Sequence, residues 1–186
     1  EMPKWLEFRR VLFRSDIPMK LKEIDKVRYR KHLNIVMFSM AMALIIFAQI
    51  TSALFIYLFS EPDASHFYHI MAAVAAAVAI VVYVLNKYRN HPYMTEVVYV
   101  WDLKQQLNKI QCKQRKIKPA VESDDNDAMI IMNFMYRGSK QLYELDDNTI
   151  TIEDLDLLIT ALEQRMKTAG LSLSTDLFKP EMLGSY

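Results

Sequence analysis

Two histidines in the sequence have a spacing at which metal ligands occur. His66 and His69 are three residues apart, and one turn of a helix would place both imidazoles on the same face. Such a pair can contribute to a zinc or copper site, and Glu61 and Asp63 lie close by in the chain. Two histidines alone do not complete a metal site. We therefore favour interfacial histidines without a metal and keep a metal sensor as an alternative.

An acidic stretch, Glu144–Asn148, is similar to part of a calcium-binding loop. The pattern fails when it is counted from Asp146. Thr151 stands where the loop requires glycine, and Leu157 stands where it requires a bidentate glutamate. We interpret the stretch as a turn that ends one helix and precedes the next.

Cys112 is the single cysteine of the chain, and it lies between Gln111 and Lys113 on a predicted helix. A nucleophile needs an activating base, and no histidine is near Cys112 in the sequence. A membrane enzyme would require Cys112, His91 or the acids of Glu144–Asp147 to converge in a cleft. Because the sequence does not bring these residues together, we expect no catalytic residue.

Composition excludes several classes of protein. The 186 residues include 23 lysines and arginines and 22 acidic residues, for a net charge of +1, which argues against a strongly basic nucleic-acid binder. One cysteine cannot form an intrachain disulfide or a zinc site with several cysteines. The three glycines, Gly138, Gly170 and Gly184, are too far apart for a phosphate-binding loop.

Residues 1–18 look foreign to the rest of the chain. Leu6–Ser15 reads LEFRRVLFRS, the translation of a DNA stretch that resembles the end of a widely used short-read sequencing adapter. Segments of this kind are set aside before the fold is considered. We therefore expect residues 1–18 to be a non-native, adapter-derived leader and Met19 to be the native start.

Two long runs contain no charged residue, from Leu33 to Ser60 and from Ala64 to Asn86. A bilayer core about 30 Å thick needs roughly 20 helical residues, and in lipid the backbone polar groups must be satisfied within the segment. The sequence therefore predicts a transmembrane helical hairpin over residues 33–86. Its helices are expected at about 33–59 and 65–86, with a short outer loop between them.

Charge is distributed unevenly around these two runs. Residues 19–32 form a basic juxtamembrane segment with six cations and two anions, the connector carries two carboxylates, and Lys87 and Arg89 follow the second run. The positive-inside rule therefore predicts that both termini are cytoplasmic. Anionic lipid attracts cations near the membrane. The expected lipid contacts are Lys20, Lys22, Lys26, Arg28, Arg30 and Lys31.

Small residues predict where helices approach closely. Ala72 and Ala76 lie near one face of the second predicted membrane helix, and small side chains let helix backbones come together in lipid. Gly138 lies on the apolar stripe of a later predicted helix. Glycine costs about 1 kcal/mol relative to alanine in a helix interior, so a close helix crossing would explain its presence.

Residues 87–186 are predicted to form a cytoplasmic helical domain, because their apolar residues are periodic. Stripes with spacings of three and four predict helices at about Tyr93–Ile117, Ala128–Leu145 and Ile152–Ala169. Pro119 is expected to end the first helix, and the second is apolar on two sides, as a central helix would be. Three amphipathic helices with short links favour a bundle or a bent coiled coil, so the whole chain is predicted to be all-α.

Signals for the ends of these helices are also present. Acidic residues at positions 122–127 precede the second helix, where carboxylates complement the helix dipole. Thr151 with Asp154 is similar to a capping box, and Gly170 followed by Leu171 fits a C-terminal cap. The tail after Gly170 is expected to be irregular and partly packed.

Three stretches resemble a known family. His91–Ile110 reads HPYMTEVVYVWDLKQQLNKI and Asn133–Thr151 reads NFMYRGSKQLYELDDNTIT. The opening from Met19, MKLKEIDKVRYRKHLN, looks like the start of the same family, domain of unknown function 3087, which occurs mainly in gammaproteobacteria. The resemblance covers Met19 to near the C-terminus. It implies a small inner-membrane protein with two spans and a cytoplasmic helical part, and it assigns no activity and no residue a role.

These observations predict a small bacterial inner-membrane protein of unknown activity that serves as a membrane-anchored protein-interaction or self-association module. The expected partners are the lipid bilayer and either another protein or a second copy of the chain, without nucleic acid and without a cofactor. One alternative is a membrane enzyme, or enzyme subunit, acting on lipid or on a partner's substrate. The other is a metal sensor on the outer face, using His66 and His69.

Overall fold

The computed structural model of the protein describes residues 20–59, 67–148 and 152–186. Within these ranges the fold is all-α, as predicted, and contains no strand. The α-helices found there are, in chain order, α1 (Lys26–Phe59), α2 (Phe67–Lys87), α3 (Thr95–Glu122), α4 (Asn126–Leu145) and α5 (Ile152–Thr168). Short 3-10 helices cover Pro92–Met94, Thr175–Leu177 and Pro180–Ser185. The predicted leader, the outer loop and the Thr151 cap lie outside the described residues.

The described chain forms two compact units. Residues Val27–Val97 make up the hairpin unit, which contains nearly all of α1, all of α2 and the first residues of α3. The bundle unit consists of residues 20–26 together with Val98–Tyr186. The segment that leads into α1 therefore folds with the C-terminal part of the chain.

Both helices of the hairpin unit are long and apolar enough to cross a membrane. The candidate spans are Lys26–Leu58 and Ile70–Lys87. None of the most apolar 18-residue window of α1 is buried, and 17% of the corresponding window of α2 is buried. Large apolar side chains are exposed along α1, among them Phe38, Ile45, Ile46 and Ile50.

The buried stripe of α2 is made of small residues. Ala73, Ala77 and Val81 are buried at a spacing of four residues. The hydroxyl oxygen of Thr51 on α1 lies 3.1 Å from the Ala73 carbonyl oxygen and 2.6 Å from the carbonyl oxygen of Phe47 in its own helix. Polar contacts of this kind link apolar helices while they satisfy the hydroxyl group.

This buried face of α2 differs from the predicted one by one residue. Ala72 is exposed and Ala76 is half-buried, whereas Ala73 and Ala77 are buried. Ala72 is therefore not a buried packing residue within the described hairpin, and its contact with another helix stays a prediction. A helix that is apolar all around has no polar face to mark its outer side, so the sequence pattern cannot indicate which face turns inward.

In the bundle unit, α4 is the helix with the most buried residues. Residues 128–134 are buried without interruption, and because they span nearly two helical turns, the first half of α4 is covered on all sides. The neighbouring helices each turn one stripe toward the core. These stripes are Leu103, Leu107 and Ile110 on α3, and Leu155, Leu162 and Met166 on α5.

Asn133 is a polar residue in the middle of this core, and both ends of its amide have partners. The amide nitrogen donates to the Leu173 carbonyl oxygen at 3.1 Å. The amide oxygen accepts from Arg137 Nε at 3.0 Å, and Arg137 also donates to Glu163 Oε1 of α5 at 2.5 Å. A buried polar group that is hydrogen-bonded in this way does not oppose folding. Asn133 thereby links α4 to the tail.

The C-terminal tail covers the remaining side of α4. Phe178 is buried, and its ring stacks on that of Phe134 with centroids 4.3 Å apart. Leu183 is also buried, and its carbonyl oxygen accepts from Lys113 Nζ at 2.5 Å. The tail, which was expected to be irregular and partly packed, therefore contains two 3-10 helices and contributes Phe178 and Leu183 to the core.

Three helices of the bundle unit end on a residue with a left-handed backbone. Gly170 follows α5 with φ +70°, and the Leu171 N–H donates to the Met166 carbonyl oxygen at 2.8 Å, which is the C-terminal cap that the sequence predicts. The ends of α3 and α4 use Asp124 and Asp147 instead, both with φ 58°. Aspartate adopts this conformation more readily than most other non-glycine residues.

The prediction that α3 ends at Pro119 is wrong, because the helix continues to Glu122 with Pro119 in its final turn. Proline removes one helical hydrogen bond, but Pro119 is exposed, and water can reach the carbonyl group left without its partner. Asp125 then begins α4, since its side chain accepts from the Ala128 N–H at 3.0 Å. This hydrogen bond holds the pKa of Asp125 below its ordinary value.

Gly138 lies on the side of α4 that faces α3. A Cβ atom at this position would lie 3.1 Å from Leu107 Cδ2 and 3.3 Å from Leu103 Cδ1. Both distances are shorter than ordinary van der Waals contact. The missing side chain therefore lets the two leucines reach the α4 backbone.

Replacing Gly138 with isoleucine is expected to lower the free energy of unfolding by about 1–3 kcal/mol, because the added side chain overpacks this contact. Thermal unfolding of the full chain in detergent, followed by circular dichroism, would show a lower midpoint. Leu107→Ala removes the methyl groups that the isoleucine meets, so the double variant should lose less stability than the sum of the single variants. Additive losses would contradict the close contact.

Candidate functional site

The segment that precedes α1 binds the bundle through its main chain. The Lys22 N–H donates to the Tyr99 hydroxyl oxygen at 2.8 Å, and Gln141 Nε2 donates to the Lys22 carbonyl oxygen. The Tyr99 hydroxyl donates in turn to Gln141 Oε1 at 3.1 Å. One side chain from α3 and one from α4 therefore close a ring of hydrogen bonds with Lys22. We call residues 20–26 the docking segment.

Two ion pairs lie on either side of this ring. Lys20 Nζ is 3.0 Å from Asp176 Oδ2, and Lys26 Nζ pairs with Asp147 Oδ1. Exposed pairs of this type contribute little stability each. The ring is better protected, since Tyr99 is half-buried and burial raises the pKa of its hydroxyl. Tyr99 therefore stays protonated at neutral pH and remains available as a donor to Gln141.

The six cations predicted to contact anionic lipid have different surroundings. Lys20 and Lys26 pair with carboxylates of the bundle unit, and Arg28 Nε lies 2.9 Å from Glu96 Oε1. A lipid headgroup would have to compete with these carboxylates. The side chains of Lys22, Arg30 and Lys31 are exposed to solvent, and Arg30 also takes part in an interaction within the chain.

Within the hairpin unit, a second polar cluster surrounds Glu96. Its side chain is 15% exposed, and its second oxygen lies 3.2 Å from Nδ1 of the buried His32. The His32 ring packs against that of Tyr93, with centroids 4.8 Å apart. Burial would raise the pKa of Glu96. Hydrogen bonds from its own backbone N–H and from His32, together with the charge of Arg28, outweigh burial and lower the pKa.

The acidic stretch Glu144–Asn148 contains the end of α4 and the turn that follows it, in agreement with the interpretation that we favour. The Asn148 N–H donates to the Tyr143 carbonyl oxygen at 2.9 Å. Asp146 accepts from Lys104 Nζ at 3.1 Å, and Asp147 pairs with Lys26. Both aspartates thus bind lysines of the same chain. Their observed role is to hold α3 and the docking segment, while residues 149–151 lie outside the described chain.

Cys112 is exposed and lines a cleft of about 440 Å³ together with Lys109, Lys113 and four residues of the tail, Pro180, Glu181, Leu183 and Gly184. The acidic turn instead lines a separate cleft of about 380 Å³, which it shares with Ile24 of the docking segment. His91 belongs to the hairpin unit. Cys112 and the acidic turn are therefore not brought together in one cleft, as a shared catalytic site would require.

The structure does not describe the side chains of the two histidines that the sequence singles out. His66 lies outside the described residues, and His69 is part of α2. Among the residues that the structure does describe, no group of three or more His, Cys, Asp or Glu side chains is arranged to hold a metal ion. The hypothesis of a metal sensor at His66 and His69 stays a prediction.

Three residues of these clusters, Tyr99, Gln141 and Glu96, were not expected from the sequence. Tyr99 and Gln141 are 42 residues apart and bind a main chain, so no pattern of charge or residue type marks their contact with Lys22. For Glu96 a signal exists. It is an acidic residue in the first turn of α3, where a carboxylate complements the helix dipole.

Tyr99→Phe is expected to loosen the docking segment. The Lys22 N–H loses its acceptor and Gln141 loses a donor, which costs about 1 kcal/mol and raises the population of the open segment about fivefold. Limited trypsin digestion of the full chain, with cleavage after Lys20 and Lys22 followed by mass spectrometry, should be faster by that factor. Tyr136→Phe removes a hydroxyl from α4 away from the segment and is the matched control. Equal cleavage rates in all three proteins would contradict the ring.

Glu96→Gln is expected to lower the stability of the chain by about 1–3 kcal/mol at pH 7, since a charged acceptor of two hydrogen bonds is lost. The pKa of Glu96 is lowered in the folded state. The stability that its carboxylate contributes is therefore complete at pH values above the ordinary glutamate pKa of 4.5. This stability is lost as the pH falls through the lower pKa of the folded state. The difference in thermal midpoint between Glu96→Gln and the unchanged protein should therefore shrink on acidification. Glu122→Gln, at an exposed position of α3, serves as the control, and a difference that does not depend on pH would argue against this role.

Comparison with known proteins identifies a family without identifying an activity. No curated protein and no solved structure matches the chain. A family model described as "Protein of unknown function (DUF3087)" matches residues 19–183, which cover most of the sequence. The chain therefore belongs to this family of proteins of unknown function, DUF3087.

Proposed function

We propose that the chain is a small membrane-anchored protein-interaction module. In this proposal the hairpin of α1 and α2 spans the bacterial inner membrane, and both termini are cytoplasmic. The helical bundle then binds a protein partner or a second copy of the chain on the cytoplasmic side.

The observation that carries the proposal is the exposure of α1. A helix from the core of a soluble protein would be mostly covered, whereas the most apolar 18-residue window of α1 has no buried residue. Soluble monomers rarely expose apolar patches larger than a few hundred Å², and side chains such as Phe38, Ile46 and Ile50 are exposed along several turns of this helix. A bilayer would cover this surface, and the helical backbone satisfies its own polar groups.

The distribution of charge supports the orientation. Residues 19–32 carry six cations and two anions before the apolar part of α1, and Lys87 and Arg89 follow the apolar part of α2. The connector between the helices contains Glu61 and Asp63 and no lysine or arginine. Short cytoplasmic segments are typically enriched in Lys and Arg, so this pattern favours an outer connector.

Contact with anionic lipid fits the same arrangement. Lys22 and Lys31 have exposed side chains close to the start of the apolar run. Each cation near an anionic surface contributes about 1 kcal/mol. We propose these two as the stronger lipid contacts, because Lys20, Lys26 and Arg28 would first have to leave their carboxylate partners, and Arg30 also interacts within the chain.

Exposed apolar side chains on the bundle unit support an interaction role. Trp101 is 60% exposed on α3, and Leu157 is 72% exposed on α5. Aromatic and large apolar side chains on a surface rich in charged residues are common at protein interfaces. The lysine and aspartate pairs around the docking segment leave these side chains uncovered.

Two measurements test this proposal on the full chain. Membranes containing the protein should retain it after extraction with alkaline carbonate. A membrane-impermeant maleimide should label Cys112, which is exposed on α3, in inverted inner-membrane vesicles but not in intact spheroplasts.

Ser60→Cys in a Cys112→Ser background is the matched control, since it places the single thiol in the connector. It should be labelled in spheroplasts and protected in inverted vesicles. Release of the protein by alkaline carbonate would refute membrane anchoring, and labelling of Cys112 from the outside would refute the orientation.

A further inference from the structure

One face of α5 is apolar at its centre and exposed. Leu157 is 72% exposed and Leu158 is 48% exposed, and Ala161 is exposed one turn later. The core side of the same helix holds the buried residues Leu155 and Leu162. No element of the described bundle unit covers this apolar face. The face is removed from water only if another molecule covers it.

Charged residues lie at both ends of this face. Asp154 is exposed at the N-terminal end, and Arg165 is exposed at the C-terminal end. They are 11 residues apart, about 16 Å along the helix, so they cannot pair within one helix. Within its own chain Arg165 lies 3.7 Å from Asp124 Oδ1 and 3.3 Å from the Val121 carbonyl oxygen. Its side chain is still 48% exposed. We call Asp154, Leu157, Leu158, Ala161 and Arg165 the α5 face.

We propose that the α5 face pairs with the α5 face of a second copy of this chain, with the two helices antiparallel. A two-fold axis between residues 159 and 160 sets Asp154 of each copy opposite Arg165 of the other. The same axis sets Leu158 opposite Ala161, so a large side chain meets a small one. This inference rests on the proposed function, because it names the partner of the interaction module.

Charge complementarity selects the antiparallel arrangement. In a parallel pair Asp154 would face Asp154 and Arg165 would face Arg165, and like charges at such positions are destabilising. In the antiparallel pair two opposite-charge contacts form by symmetry, and each helix N-terminus lies beside the C-terminus of the other, where the dipoles attract. A closed two-fold dimer also uses one surface twice, as a self-complementary face requires.

Anchoring in one membrane compensates for the small size of this interface. A single pair of helices buries less surface than a standard stable interface, so separate soluble bundles would associate weakly. Confinement of both copies to one bilayer raises their effective concentration without adding any contact. The dimer is therefore expected in membranes that contain the full chain.

Cysteine crosslinking in inner-membrane vesicles tests the pairing. In a Cys112→Ser background, Ala161→Cys places two thiols about 4.5 Å apart along the helix axes, whereas Thr168→Cys on the same side of α5 separates them by about 25 Å. A short bismaleimide should therefore produce dimers of Ala161→Cys and few dimers of Thr168→Cys. Efficient dimers of both variants would indicate a parallel pair and overturn the proposal. Dimers of neither would mean that lipid or another protein covers the face, and would also overturn it.

A charge exchange provides the second readout. Arg165→Glu in the Ala161→Cys protein should reduce the dimer yield about threefold or more, since both symmetric contacts become repulsive. Adding Asp154→Arg to the same chain should restore the yield, because the exchanged charges again face each other between copies. Without this restoration the proposed register is wrong. Circular dichroism of each variant monitors folding, including the loss of the contact between Arg165 and Asp124.

Failure of this inference can be distinguished from failure of the proposed function. A chain that resists alkaline carbonate but gives no dimer at Ala161→Cys is anchored without pairing through α5. A chain that is released by carbonate fails the anchoring proposal, whatever its crosslinking pattern.

Discussion

The architecture of the bundle unit depends on the burial of α4. Seven consecutive residues, 128–134, are buried, so this helix must be covered around its whole circumference before its apolar surface is removed from water. The stripes of α3 and α5 cover two sides, and Phe178 stacks on Phe134 to cover another. Gly138 lets α3 approach the α4 backbone, and Asn133 satisfies the polar groups where the tail meets the core. Polar contacts occur mainly at the margins of this core. This distribution is expected if the apolar contacts determine how the helices pack and the polar contacts determine the register between the helices.

Periodicity in the sequence predicts the existence and approximate bounds of α4 and α5, because their apolar stripes are interrupted by charged residues. The cap at Gly170 is predictable for the same local reason, since glycine adopts the left-handed backbone without strain. Asp124 and Asp147 adopt the same conformation without glycine's sequence signal. Pro119 misleads because a proline in the last exposed turn is tolerated. In α2 the buried residues Ala73 and Ala77 lie one position from the predicted Ala72 and Ala76, because an all-apolar helix does not reveal its inner face.

The basic residues before the apolar part of α1 have two physical roles that composition alone does not distinguish. Their net charge favours a cytoplasmic position, but Lys20 and Lys26 also pair with aspartates that come from distant parts of the chain. The acidic turn after α4 similarly looks like an ion-binding loop in sequence and is a docking point for lysines in the structure. Both cases arise because the sequence gives the charges without their partners. The partners become known only when the fold brings Asp147 and Asp176 to the docking segment.

The contact at Lys22 has a consequence for how this surface changes over evolutionary time. Tyr99 and Gln141 bind the N–H and the carbonyl oxygen of Lys22, and its side chain takes no part in the ring. Nineteen of the twenty amino acids present the same two groups, and only proline lacks the N–H. The ring of hydrogen bonds therefore constrains position 22 only by excluding proline, and a lipid contact of the Lys22 side chain would be a separate constraint. Covariation would report on Tyr99 and Gln141 with each other, and the ring itself would leave no trace in the side chain at position 22.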